Sequence, residues 1–111
     1  MKVNVEKLEG KIIRDTDVYI VEDNTFLNNL VLSKTTLHRD QSTSGHSHPG
    51  LEEVYFFQRG SGTMQLDEET FEVGEGDVVL IPDGAFHRVF NKNGKQDLVF
   101  VCVFQKYDRE N

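Results

Sequence analysis

The stretch Gly45-His46-Ser47-His48-Pro49-Gly50-Leu51-Glu52-Glu53 crowds two histidines and two glutamates together, and His87 follows thirty-nine residues after His48. Two imidazoles two residues apart on an extended chain point to the same side, so both reach one ion. The chemistry on offer is chelation of a metal by nitrogen and oxygen donors. Which glutamate takes part depends on the backbone between. In Glu53-Val54-Tyr55-Phe56-Phe57, odd positions share one face, whereas His46 and His48 are even-numbered. An unbroken strand would therefore put the histidines on the side of Glu52. Pro49-Gly50 is where such a strand breaks, since proline removes a ladder donor and glycine permits a bend, and a loop there resets the parity. Read from the residues alone, Glu52 and Glu53 both stand as ligands.

The elements that must position these side chains are strands. Segments rich in β-branched and aromatic residues run over 18–21, 29–37, 53–57, 62–66, 70–73, 77–81, 87–90 and 98–104. Turn sequences separate them at short intervals, among them Arg59-Gly60-Ser61-Gly62, Asp67-Glu68, Gly74-Glu75-Gly76-Asp77, Pro82-Asp83-Gly84 and Asn91-Lys92-Asn93-Gly94. That rhythm predicts an all-β sandwich or barrel. Residues 2–15 are ambiguous between a short edge strand and a turn around Gly10. The run Leu98 to Phe104 is apolar on both faces, which places it between layers or at a subunit contact.

A chain of 111 residues has room for one core. Its net charge of −7 opposes general affinity for nucleic acid or anionic membrane, and no basic cluster relieves that. No apolar run approaches the length of a membrane span, and the opening residues lack the apolar segment of a signal peptide. One cysteine, Cys102, cannot form an internal disulfide and is expected as a buried, inert thiol. A cytoplasmic protein is expected.

Two spacings resemble the paired motifs of the cupin superfamily. His46-x-His48, four residues, Glu53, six residues, Gly60 is similar to the first; Gly76, five residues, Pro82-x-Gly84, two residues, His87, three residues, Asn91 is similar to the second at every position. The first motif of the family opens with a glycine where this chain has Asp40, and Asp is itself suited to a polar turn. The resemblance implies a double-stranded β-helix, or jelly-roll, barrel of two antiparallel sheets. It covers about residues 30–104 of a single cupin domain over 1–111, with N-terminal strands and turns in 1–29. It also selects Glu53 and implies that His46, His48, Glu53 and His87 hold one divalent transition metal ion. Three imidazoles and one carboxylate leave such an ion with net charge about +1 and open positions, and this mixed donor set without thiolate suits Mn, Fe, Co, Ni or Zn.

Other residues are expected to be structural. His38 lies outside both motifs and reads as a surface histidine, Glu52 as a solvent-facing neighbour, and Tyr55, Phe57, Phe86 and Phe104 as barrel packing. Gly60, Gly76 and Gly84 read as turn residues, because no helix follows them to make a phosphate cradle. For function, the open site points to a metalloenzyme acting on a small polar carbonyl or hydroxyl substrate, such as a sugar or sugar phosphate in an isomerase-like reaction. An iron- or nickel-dependent dioxygenase and a non-catalytic metal- or sugar-binding module are the alternatives. Lys34, Arg39, Arg59 and Arg88 are the only cations near the motifs to meet a phosphate. A homodimer is expected, because a barrel of this size exposing Val54, Phe56 or Val103 would gain by pairing.

Overall fold

The computed structural model describes residues 1–107 and contains ten strands, with no helix among the described residues. They are β1 (Lys11–Asp15), β2 (Tyr19–Asn24), β3 (Leu30–Leu37), β4 (Gln41–Ser42), β5 (Glu53–Arg59), β6 (Ser61–Leu66), β7 (Glu69–Gly74), β8 (Val78–Ile81), β9 (His87–Asn91) and β10 (Leu98–Gln105). Two antiparallel sheets result, one ordered β1-β2-β3-β10-β5-β8 and one ordered β4-β9-β6-β7. The eight expected strands are all present. β2 runs three residues further than its apolar stretch suggested. β1 resolves the ambiguity of residues 2–15 in favour of an edge strand, and β4 is a two-residue strand that the sequence pattern did not mark.

Alternation builds the core. In β3, Val31, Ser33, Thr35 and Leu37 are buried while their neighbours are not; β5 buries Glu53, Tyr55 and Phe57, and β8 buries Val79 and Ile81. β10 lies between β3 and β5, so its apolar inner face is covered by the other sheet. Its outer face joins Val103 to Val54, Phe56, Val78 and Leu80 of β5 and β8, all at least 36% exposed. The double-sided apolarity of this strand thus has two causes: a core on one side and an uncovered apolar sheet face on the other.

Turn chemistry closes the hairpins. Asp67 takes a positive φ of 51° between β6 and β7, a conformation its short polar side chain tolerates. Gly60 joins β5 to β6 with φ 88°, and a Cβ there would stand 2.6 Å from the Asp97 carbonyl oxygen, so neither the dihedral nor the space admits another residue. Asp40 adopts φ 60°, a backbone conformation that suits glycine and that the short polar side chain of aspartate tolerates, as expected of a polar turn here.

Candidate metal centre

The four motif side chains converge from three pieces of chain. His87 is the first residue of β9 and Glu53 the first of β5, both buried. His46 sits in the extended segment after β4, where reciprocal backbone hydrogen bonds join it to His87: His46 N–H donates to His87 O at 3.1 Å and His87 N–H to His46 O at 3.0 Å. Beyond His48 the chain turns, with Leu51 N–H donating to His48 O at 3.0 Å and Gly50 at φ 87°. The Asp83 carboxylate accepts from Gly50 N–H at 2.7 Å and pins that turn to the β8–β9 loop. This is the parity reset expected at Pro49-Gly50. It brings Glu53, not the exposed Glu52, to the histidines.

One donor atom from each of His46, His48, Glu53 and His87 lies within 4.8 Å of the others. Donors on one ion with bonds of about 2.1 Å stand at most about 4.2 Å apart, so small side-chain torsions suffice to close the set. The decisive pair is Glu53 Oε2 and His87 Nε2. They face each other at 2.9 Å in a buried setting, and no group outside the pair hydrogen-bonds either atom. His87 Nδ1 lies 3.0 Å from the Ala85 carbonyl and donates to it, which leaves a lone pair on Nε2 aimed at a carboxylate oxygen. Two lone pairs at that distance require a proton or a cation between them. The donor set therefore fits a divalent metal.

Without an ion, protons take that place. Burial alone would raise the Glu53 carboxyl, but the hydrogen bond and charge of His87, with the charges of His48 and His46, leave it below its ordinary value. Burial likewise opposes charge on His87, yet the contacts with Glu53 and the Ala85 carbonyl, and the charges of Glu53 and Asp67, hold its imidazole above its ordinary value. These are the shifts of a coupled acid–base pair.

The cluster opens on a cavity of about 630 Å³ between the sheets. Tyr19, Ser33, Thr35, Thr43 and Ser44 give it hydroxyls, while Val21, Leu51, Phe100 and Phe104 give it apolar wall. Tyr55, Phe104 and Cys102 are buried as expected, but they also line this space, so packing is only part of their role. Tyr107 was not singled out by the sequence; its hydroxyl lies 3.5 Å from His48 Nε2. Its only sequence signal was an aromatic just after β10.

The expected phosphate-binding cations are elsewhere. Lys34, Arg39 and Arg59 border a separate cavity of about 400 Å³ with Glu6 and Asp97, and Arg59 is ion-paired to Glu6 at 2.5 Å. Arg88 donates to Thr43 O at 2.7 Å and Ser42 Oγ at 3.2 Å and lies over the Phe90 ring. Among the described residues, the arginine or lysine that does border the cavity beside the four-residue cluster is Arg14, in the segment left ambiguous by the sequence. His38 approaches Asp97 at 3.6 Å, the surface role expected of it.

Comparison with known proteins agrees with this fold. The family pattern for the cupin domain matches residues 34–104. The chain belongs to the cupin superfamily. Among curated relatives, this cupin is 34% identical over 79 residues to an uncharacterized protein of Methanocaldococcus jannaschii, covering 71% of this chain and 57% of that one. It is 32% identical over 88 residues to a germin-like protein of Arabidopsis thaliana, covering 66% of this chain and 42% of that one. The chain thus spans about half the length of the curated relatives it matches. Similar solved folds include KdgF from a Halomonas species, with TM-score 0.78, 14% identity and coverage of 92% of this chain and 91% of that one. Another is a predicted oxalate decarboxylase from Thermotoga maritima, with TM-score 0.76, 23% identity and coverage of 96% and 100%. At these identities the structures share the cupin fold with this chain.

Proposed function

We propose that this cupin is a metalloenzyme acting on a small polar molecule with neighbouring carbonyl and hydroxyl oxygens, with His46, His48, Glu53 and His87 holding one divalent transition ion. The chain forms a single cupin domain in this reading. The observation that carries the proposal is the buried Glu53 Oε2–His87 Nε2 pair at 2.9 Å, with no partner outside the pair, whose Glu53 joins His46 and His48 on the wall of an open cavity. A structural metal is normally closed off by protein donors, whereas a set of three imidazoles and a carboxylate of which His46, His48 and Glu53 border a cavity leaves positions for a ligand. A bound ion would supply Lewis acidity, lowering the pKa of a proton beside any oxygen it polarises. The chain's own residues orient the ligand. Hydroxyls of Ser33, Thr35 and Thr43 border the cavity as hydrogen-bond partners, and Tyr107 Oη can meet an oxygen held beside His48. Proton-transfer chemistry such as isomerisation suits this arrangement.

Metal analysis of protein purified without added metal tests the reading, paired with His48→Ala. About one equivalent of a divalent transition ion is expected, lost in the variant. Unchanged stoichiometry in His48→Ala, or no uptake of any divalent ion by the parent, defeats it. A turnover screen over small hydroxy-carbonyl compounds then separates an enzyme from a binding module.

We further propose that the chain pairs through the outer face of β10, β5 and β8. The support is the contiguous exposure of Val54, Phe56, Val78, Leu80 and Val103, a side-by-side apolar surface on neighbouring strands.

A further inference from the structure

β1 carries an irregularity that changes what faces the cavity. Lys11 pairs with Asp23 and Ile12 with Glu22, but the next pair is Arg14 with Val21, so Ile13 is an extra residue in a β-bulge. In an unbroken strand Ile13 would oppose Val21 and share its inward direction, and Arg14 would face outward. The bulge exchanges them: Ile13 is 42% exposed, and Arg14 joins the cavity wall with Val21.

Arg14 continues a row of side chains across the sheet. From β1 to β10 the register runs Arg14, Val21, Thr35, Phe100, ending beside the strand that carries Glu53. Among the described residues it is the one arginine or lysine bordering the cavity, and Glu53 is the one carboxylate. Three other cations are engaged elsewhere: Arg59 with Glu6, Arg88 with Ser42 and Thr43, Lys106 with Thr25. Among the described residues no group accepts a hydrogen bond from the Arg14 guanidinium. Once a divalent ion is held against the single negative charge of Glu53, the cavity is positive at both ends in a chain whose net charge is −7.

We propose that Arg14 is an anion anchor: the ligand is a small acid whose distal carboxylate or phosphate docks on the guanidinium while its oxygen-bearing end lies at the four-residue cluster. This rests on the metal-centred reading above and names the substrate class for that site. A planar guanidinium with a free fork of N–H donors matches either oxyanion in bidentate fashion. The surrounding hydroxyls of Tyr19 and Thr35 accommodate the polar chain between the two ends.

The test uses protein loaded with Co(II), whose absorption changes when a ligand oxygen joins the ion. Matched pairs share a chelating end and differ at the far end: α-hydroxyglutarate against α-hydroxyvalerate, malate against α-hydroxybutyrate, and phosphoglycerate against glycerate. At least one pair is expected to favour the acid with the distal anion by about tenfold or more, as a charge-assisted contact gives. The first two pairs report a carboxylate and the third a phosphate. Arg14→Gln should reduce the preference to within about twofold, with Co(II) uptake and thermal unfolding unchanged because the side chain is exposed on an edge strand. Arg14→Lys should restore part of it. Cobalt uptake with no pair discriminated, whether both members bind or neither, overturns the anchor and leaves the metal site standing. A preference that survives Arg14→Gln also overturns it. Failure to take up cobalt overturns the metal-centred reading, and the anchor with it.

Discussion

Asn91, the last residue of the second motif, is expected to be among the costliest polar residues of the fold to replace. It is fully buried. Its Nδ2 donates to Leu37 O at 3.1 Å, His38 O at 3.2 Å and Gln96 O at 3.0 Å, and its Oδ1 accepts from Asn93 N–H at 3.1 Å. An amide has two N–H bonds, so three acceptors mean one shared proton, and the side chain supplies about three full hydrogen bonds. Truncation to alanine removes them and strands buried carbonyls at about 1–3 kcal/mol each where water cannot follow. Gln96 O and Asn93 N–H lie in the more open β9–β10 loop and recover part of their hydration, so we expect a net loss of about 3–5 kcal/mol. Against a domain stability of about 5–15 kcal/mol, this lowers the melting temperature by roughly 15–25 °C. Urea unfolding of Asn91→Ala and Asn91→Asp measures it. The aspartate cannot donate and turns a charge toward three carbonyls, so it should be at least as damaging. A loss below about 1 kcal/mol for alanine at unchanged m-value, or an aspartate variant as stable as the parent, would refute the hydrogen-bond reasoning.

Four further outcomes follow from the same structure. For metal-free protein, the raised His87 gives stability that is complete below its ordinary value of 6.5 and is lost as pH rises through the higher folded value. The lowered Glu53 gives stability present above 4.5 and lost as pH falls through the lower folded value, so thermal melts should be most favourable between those two ordinary values. Metal needs His87 unprotonated, so the rise in melting temperature on adding Zn(II) should grow from about pH 5.5 to about pH 8; a larger rise at the acid end would contradict the ligand role of His87. Gly62→Ala should cost about 2–4 kcal/mol in chemical denaturation, because its Cβ would meet the Phe90 carbonyl oxygen at 2.4 Å and push β6 off β9. Phe56→Glu places a charge in the apolar outer face, and sedimentation should then show monomer where the parent gives dimer; a parent already monomeric at micromolar concentration removes the pairing proposal.

Legibility in the sequence followed burial on one face. β3, β5 and β9 read clearly because inward and outward residues alternate along them. β1 gave no such contrast, since all five of its residues are exposed and its bulge breaks the period of two. β4 is too short to carry any period. The ligand cluster was legible because its spacing crosses one loop, and Pro49-Gly50 announced that the parity changes there. Arg14 was not, because a bulge is a fact of register between two strands and β1 alone does not reveal which of its neighbours Val21 opposes. Three of the four cations nearest the motifs in sequence, Lys34, Arg39 and Arg59, border a separate cavity, and the reason is complementary: Lys34 and Arg59 occupy outward positions of strands whose inward residues line the site. Tyr107 lay beyond the last recognisable strand, where pattern gives way to tertiary placement.

The two backbone hydrogen bonds between His46 and His87 act as a ruler. A reciprocal pair of this kind fixes the separation of the two α-carbons at about 5.5 Å and leaves adjacent side chains on one side. Two of the four clustered side chains are thereby spaced by main chain. The turn over residues 49–52 is held across to the β8–β9 loop by one side chain, Asp83, and the edge strand that carries Arg14 is paired on one side only. In the proposed reading the ion holder and the ligand-selecting rim are then separate mechanical parts, and the rim could be redrawn for another small molecule with the four-residue cluster unchanged.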